Sequence, residues 1–559
     1  MKAILTGLLT EVIAEARKQG KLKQQGKSAQ IILEVPKREG QGDFATTLAL
    51  SLSKEEGRPP REIASDLVAL LQGRSPLIEK IEIAGPGYIN FFLSKDHWYQ
   101  TLLDIREKKG RYGQTSIGWG KKVQIEFVSA NPTGPLHVAH GRAAALGDAL
   151  ALLLQAVGYQ VDREYYINDV GNQMTLLGRS TYLRYRELFG EKVTLPDESY
   201  RGSYIIEIAE KIKKSAGDRY LTGSEEEHLP FFVRTSYQTI LGWIRRDLDQ
   251  FGVHFDRWFP EEDLYRNKEV DASLEFLKSA GVLYEQDGAL WVATTRFGDD
   301  KDRVVMRSNR QMTYFASDIA YHRNKFERGY DRLIDIWGAD HHGYIARVKA
   351  VAAAMGYSPD RLDILIHQLV NLLREGKPVA MSKRSGEFVT LREVMDEVGV
   401  DATRFFFLMR RSDTSLDFDL DLAKKASTEN PVYYVQYAHA RVCSILRVAT
   451  ERGLNVEEEI QNAKLADLTV LDLPEEQALI KQLSNYPDLL QSAAEVLEPH
   501  RLTFYLQELA GMLHRYYFDH RVVTEDLPRT RARLVLMAAV QIVLRNALAI
   551  LGVRAPERM

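Results

Sequence analysis

The stretch from Val123 to Leu154 constrains the fold of this chain more than any other. Val123 to Val128 alternates and is rich in β-branched and aromatic residues, the pattern of a strand. Ser129-Ala130-Asn131-Pro132-Thr133-Gly134-Pro135 follows, a turn-rich segment that neither a helix nor a central strand accommodates. From about Val138 a helical pattern sets in, with Ala143, Leu146, Leu150, Leu153 and Leu154 on one face. His137 and His140 therefore sit where a strand hands over to a helix, on one side of its first turn. The open amides of a helix start favour an anion, and two imidazoles add donors for phosphate oxygens. The turn suits a phosphate held while charge moves across it; the plainer alternative is two histidines that pack or cap.

Around this stretch, 559 residues leave room for three or four domains. A hydrophobic share of 45% and a charged share of 27% are those of a soluble globular protein. No uninterrupted run of eighteen apolar residues occurs, so no membrane span is expected. The N-terminus mimics a signal peptide, but Glu11 and Glu15 break its apolar run. Leu5, Leu8, Leu9, Val12 and Ile13 instead follow the spacing of an amphipathic helix. The single cysteine, Cys443, excludes an internal disulfide and a multi-cysteine metal site and suits a reducing, cytoplasmic setting. A net charge of −3 leaves any nucleic-acid binding to a local basic face.

Read in order, residues 1–112 form an α+β unit, with strands expected at Ile31 to Pro36, Ile81 to Ala84 and Tyr88 to Leu93. Its second helix is expected to pack Leu48, Ala49, Leu52 and Ile63. Residues 113–385 alternate strand and helix, which predicts a parallel sheet with ligands at the carboxyl ends of its strands. A charged, mainly helical insertion is expected at about 174–290, with strands resuming at Ala289 to Thr294 and Val304 to Met306. Asp335 to Gly343 reads as a strand running into a polar loop. Residues 386–430 connect to a helical bundle at 431–559.

A second feature lies far downstream. Ala380-Met381-Ser382-Lys383-Arg384-Ser385-Gly386 joins small residues to two cations, with Lys377 just upstream. Such a loop can close over a polyphosphate and neutralise a leaving pyrophosphate. Taken alone it is more often an ordinary basic loop.

Together, His137-Val138-Ala139-His140-Gly141 and Met381-Ser382-Lys383 resemble the two signatures of class I aminoacyl-tRNA synthetases, His-Ile-Gly-His and Lys-Met-Ser-Lys. Ala139 replaces a glycine of the first, and Ala380 the first lysine of the second. The flanks narrow the resemblance to arginyl-tRNA synthetases of bacterial type. They are Glu126 to Pro132, Tyr314 to Tyr321, Trp337 to Gly343, and Tyr434 to Arg441 at the head of the helical bundle.

The resemblance implies a Rossmann-like catalytic domain between an α+β N-terminal domain and an all-α anticodon-binding bundle. It also implies two steps, activation of L-arginine by ATP to arginyl-adenylate and transfer to the terminal adenosine of a tRNA. Pro135, His137, His140, Gly141, Met381, Ser382 and Lys383 are then expected at ATP, with His137, His140 and Lys383 catalytic and Arg384 or Lys377 compensating for Ala380. A guanidinium is a planar fork best matched by carboxylates. Glu126 and Asp318 are the choices for it, with Tyr314 stacking nearby and Asn131 and His341 toward the backbone of the amino acid. Arg515, Tyr516, Arg521 and Arg529, basic residues among aromatics, are expected at the tRNA. By the same resemblance the N-terminal domain would meet the outer corner of the tRNA. Magnesium is expected with ATP and no tightly bound metal; adjacent histidines such as His341 and His342 point apart. A monomer is expected, since no coiled-coil stripe is evident. The competing readings are another class I synthetase, a nucleotidylyltransferase, and an inactive RNA-binding paralogue.

Overall fold

A computed structural model of the chain describes residues 1–24, 30–36, 38, 40–379 and 388–559. Helix α1 (Lys2–Lys18) buries Leu5, Leu9, Val12 and Ala16, one stripe at helical spacing. The unit's antiparallel sheet has the order β1-β2-β4-β3, formed by β1 (Leu33–Glu34), β2 (Phe44–Thr46), β3 (Ile78–Ala84) and β4 (Tyr88–Leu93). The first strand is shorter than its β-branched run suggests. The expected second helix is two, α2 (Leu48–Glu56) and α3 (Pro60–Leu71), because Gly57 adopts φ 67° and Pro60 starts a new helix. Ile63 belongs to α3.

Helix α4 (Lys95–Lys108) ties this unit to the far end of the chain. Tyr99 donates to the carbonyl of Leu471 at 3.2 Å, and Tyr112 to that of Leu483 at 3.1 Å.

The catalytic sheet is parallel, of order β12-β11-β5-β6-β7. Strand β5 (Lys122–Glu126) lies at its centre, followed by α5 (Val138–Ala156) and β6 (Gln160–Ile167). Three helices then pack together, α6 (Asn172–Glu187), α7 (Ser203–Ala216) and α8 (Glu225–Gln250). The chain re-enters the sheet as β7 (Arg257–Pro260), inside the stretch expected to be inserted. Only four residues long, β7 carries too little pattern to stand out from its helical surroundings. Helices α9 (Glu262–Arg266) and α10 (Glu269–Ser279) lead to β8 (Leu283–Gln286), β9 (Ala289–Val292) and β10 (Arg303–Met306). These three strands form a separate antiparallel sheet instead of resuming the parallel one.

The second half of the fold is α11 (Tyr314–Glu327), β11 (Arg332–Gly338), α12 (Ile345–Ala354) and β12 (Leu362–His367). A small sheet of β13 (Val370–Arg374), β14 (Lys377–Pro378) and β15 (Leu416–Asp419) adjoins it. Between them run α13 (Leu391–Val398) and α14 (Val400–Phe407), with α15 (Leu420–Lys424) after β15.

The C-terminal unit is helical: α16 (Pro431–Glu451), α17 (Val456–Asn462), α18 (Pro474–Ser484), α19 (Tyr486–Glu495), α20 (His500–Asp519) and α21 (Leu527–Ile550). By length and composition α21 is apolar enough to cross a membrane, yet 78% of its most apolar window is buried within the protein. Its apolarity matches its place at the centre of the bundle. Arg404, fully buried, binds this unit to the catalytic one. It donates to the carbonyls of Leu551 and Phe251 at 3.0 Å each and to Asp148 at 2.6 Å.

Candidate active site

The strand-to-helix turn at the end of β5 is strained. Val128 and Ser129 adopt φ of 69° and 37°, unusual for a β-branched residue above all. The strain aims Ser129 back at the strand. Its hydroxyl donates to Glu126 at 2.8 Å and accepts from the Tyr166 N–H at 3.1 Å. Beyond the turn, His137 caps α5, and its backbone N–H donates to His140 Nδ1 at 3.3 Å. The two rings stack with centroids 3.7 Å apart. They present one imidazole face at a helix N-terminus, where an anion is favoured.

The segment after residue 387 returns to this turn. Thr390 pairs with His137 as a β-bridge, and the Phe388 ring meets the His137 ring edge-on at 6.1 Å. Pro135 shares a groove with Tyr204, Phe388, Thr390 and Glu393. Gly141 faces inward: a Cβ there would come within 2.6 Å of Leu391 and 2.9 Å of Phe407. Met381, Ser382, Lys383 and Arg384 lie outside the described residues. Lys377 is exposed on β14.

Behind the histidines lies an acidic row. The register of the parallel sheet sets Glu126 beside Glu164 of β6 and Asp335 of β11, three adjacent carboxylates. Cations of α11 compensate for them. The Lys325 ammonium, fully buried, bonds Glu126 and also Asp335, the latter at 2.7 Å. Burial alone would lower the Lys325 pKa; Asp335 and Glu126 reverse this and hold it above its ordinary value. Burial pushes Asp335 up, but Lys325 and His322 outweigh it and keep this carboxyl below the usual range. Arg328 and the Tyr321 hydroxyl hold Glu164. His322 bridges Asp335 at 3.1 Å and the carbonyl of Asp318 at 2.8 Å. Both its ring nitrogens face oxygen atoms.

Two further carboxyls border this row and form no ion pair among the described residues. Asp318, one turn after Tyr314 on α11, is pushed up to about 6, chiefly by burial and further by Glu126, with His322, Arg347 and His341 opposing. Glu261, just past β7 and buried, is pushed up to about 7 by burial, the Asp318 charge adding to this and the Ser317 hydroxyl opposing it. Two carboxyls poised near neutrality beside Tyr314, which is 55% exposed, form a seat for a cationic group. Asn131 lies at the rim, donating to Gln173 at 2.9 Å. His341 stands exposed after β11, 3.3 Å from Asp340, and its charge reaches Asp318.

Comparison with known proteins decides the family. Residues 4–93 match the model "Arginyl tRNA synthetase N terminal domain", 101–428 match "tRNA synthetases class I (R), catalytic domain", and 435–559 match "DALR anticodon binding domain". The chain belongs to the class I arginyl-tRNA synthetases. An arginine–tRNA ligase of Citrifermentans bemidjiense is 54% identical over 535 residues, 96% of each chain. One from Desulfosudis oleivorans is 51% identical over the whole of both chains. Among solved structures, Thermus thermophilus arginyl-tRNA synthetase superposes with a TM-score of 0.76 at 25% identity, covering 98% of this chain and 99% of that one.

In this synthetase the catalytic match runs to residue 428, and α13 and α14 pack against α5. The helical surface at the C-terminus needs one correction. Tyr516 has no exposed area; its hydroxyl donates to Glu476 at 3.0 Å, and Arg533 donates to the same carboxylate at 2.8 Å. It is a core residue, because α20 turns its apolar stripe inward at this position. The exposed rings are its neighbours Tyr517 and Phe518, the latter 90% exposed, with Arg515 and Arg521 also exposed. Arg529 is half-buried between Asp472 at 3.6 Å and Asp526 at 3.7 Å.

Sequence reasoning missed Glu261, Lys325, Asp335 and His322. Glu261 was hidden in the apparent insertion. For Lys325 a signal existed: Tyr314, Asp318, Tyr321 and Lys325 fall on one stripe of α11, polar where an ordinary helix would be apolar.

Proposed function

We propose that this chain ligates L-arginine to its tRNA, with the pocket of Glu126, Glu261, Asp318 and Tyr314 selecting arginine. The observation that carries the reading is the pair Asp318 and Glu261, two carboxyls with no ion pair among the described residues, on a parallel-sheet domain whose central strand leads to a stacked histidine pair. A guanidinium supplies the charge and the planar donors that such a pair lacks. Tyr314 covers it, while Asn131 and His341 meet the α-amino and carboxylate end.

With arginine so held, its carboxylate oxygen attacks the α-phosphorus of ATP. The bond to the β,γ-phosphates breaks, and pyrophosphate leaves with the electron pair. His137 and His140 donate to the α-phosphate oxygens as negative charge builds there, and Lys383 neutralises the pyrophosphate. Such transition-state donors are each worth roughly 10²–10³ in rate. Magnesium accompanies ATP as part of the substrate and needs no dedicated protein cage. In the second step a hydroxyl of the terminal adenosine attacks the arginyl carbonyl, and AMP leaves. The C-terminal bundle presents Arg515, Arg521, Tyr517 and Phe518 to the anticodon arm, where bases stack on rings and phosphates meet arginines. The enzyme works in the cytoplasm as a monomer.

The test is ATP–pyrophosphate exchange with arginine, lysine or cysteine, with and without tRNA for arginine. Exchange confined to arginine supports the reading, and a need for tRNA would mean that tRNA completes the site. Absence of exchange under every condition would overturn the reading and favour an RNA-binding paralogue disabled by Ala380.

A further inference from the structure

Two carboxylates of the acidic row, Glu126 and Asp335, share one side chain as partner. Lys325 is the sole described cation touching both Glu126 and Asp335, and all three are buried. It stands on the same helix, and on the same stripe, as Tyr314 and Asp318. The pocket wall is thus the first half of α11, and the clamp on the pocket floor is its second half. Neighbouring strands place Glu126 beside Glu164 and Asp335. Without a cation between them, Glu126 and Asp335 would repel, and each would turn toward whatever charge was available.

We propose that Lys325 is a positioning residue for arginine. It fixes the carboxylate of Glu126 relative to Asp318 and so sets the spacing of the carboxylates that receive the guanidinium. Lys325 touches no substrate. Its ammonium is occupied by Glu126 and Asp335, and Ser129, aimed by the strained turn at 128–129, holds the other oxygen of Glu126. Glu126 is therefore fixed from both sides before arginine arrives. Preorganisation of this kind lowers the cost of binding without adding a contact. ATP, held at the histidine turn and the second signature, does not depend on this clamp. The inference rests on the reading of Glu126 as an arginine-contacting residue.

The experiment compares the wild type with Lys325→Met/Asp335→Asn, Lys325→Arg and Glu126→Gln in arginine-dependent exchange with tRNA present. The double variant removes one cation and one anion together, so the buried row keeps its net charge and no second carboxylate is stranded. We expect its KM for arginine to rise at least tenfold while the KM for ATP stays within twofold. Lys325→Arg should recover part of the loss. In a Glu126→Gln background the double substitution should raise the arginine KM no further than twofold, since the clamp then has nothing to hold. An unchanged arginine KM, or equal losses in the KM for ATP and for arginine, would overturn the proposal. So would failure of the double variant to fold when Lys325→Arg folds with wild-type kinetics, because the lysine would then be purely structural. Should Glu126→Gln alone leave the arginine KM unchanged, the underlying reading of Glu126 fails, whatever Lys325 does.

Discussion

The backbone N–H of Leu391 donates to the carbonyl of Leu136 at 2.8 Å. The residue after Thr390 is thereby joined to the residue before His137, and the Thr390 side chain in turn caps α13 through the Glu393 N–H at 3.1 Å. The chain at Thr390 and Leu391 is built onto the first signature by main-chain pairing. A displacement of α13 must be felt at His137.

Gly141 is where that coupling is most exposed to substitution. In Gly141→Ala the new methyl would press on Leu391 and Phe407 at 2.6 and 2.9 Å. Overpacking of this sort costs about 1–3 kcal/mol. We expect a lower Tm and a fall in kcat for exchange, with the arginine KM within twofold. A variant with lowered Tm but wild-type kcat would show that the tether does not govern the histidine turn.

Asp318 and Glu261 give the enzyme a pH dependence of definite sign. Their carboxyls are raised to about 6 and about 7, so without arginine they carry protons that an unfolded chain would have released. Their contribution to stability is therefore greatest below the ordinary carboxylate range and falls as pH rises toward 7. Arginine requires the ionised forms and expels those protons. Its KM should rise roughly tenfold between pH 8 and pH 6, with the ATP KM much less affected. Calorimetric titration of arginine in buffers of different ionisation enthalpy, with tRNA bound, should show net proton release at pH 6.5; no release would refute the assignment. Glu261→Gln should flatten the profile and raise the arginine KM at every pH.

Arg404 decides whether the catalytic and helical units unfold together. It satisfies Asp148 and two carbonyls from opposite sides of the interface, and a Cβ on Gly552 would lie 2.1 Å from its guanidinium. Arg404→Met strands Asp148, which keeps only Arg163 at 3.4 Å. Loss of one partner from a buried pair costs about 3–5 kcal/mol. We expect one thermal transition in the wild type to separate into two in the variant. A single transition at the wild-type Tm would count against the interlock.

The two neighbouring rings at the end of α20 should separate binding from stability. Phe518→Ala is expected to raise the KM for tRNA by about tenfold, in line with stacking worth roughly 1–3 kcal/mol per base, at unchanged Tm. Tyr516→Phe, which takes the tyrosine donor from Glu476 and leaves it Arg533, should lower Tm and leave the tRNA KM alone. The reverse pattern would mean that the bundle presents a different face.

Local pattern was enough wherever a function resides in consecutive residues. The strand, turn and histidine-capped helix from Lys122 to Ala156 were legible because alternation, prolines and helical spacing follow one another within a short span. The same holds for Tyr314 and Asp318 on one helical face, and for the helical bundle. Strand β7, and with it Glu261, was not legible: four residues cannot display a period, and their membership of the sheet depends on pairing with β6.

By itself, then, the sequence determined the family, the order of the domains, and the turn that carries His137 and His140, since these rest on short-range spacing and turn chemistry. Tertiary structure alone decided that Glu126, Glu164 and Asp335 stand side by side, that Lys325 lies between two of them, and that Tyr516 faces inward while Phe518 faces out. Strand register and helix rotation are set by packing between segments far apart in the chain, so the charge that surrounds a carboxylate is known only once the sheet is assembled.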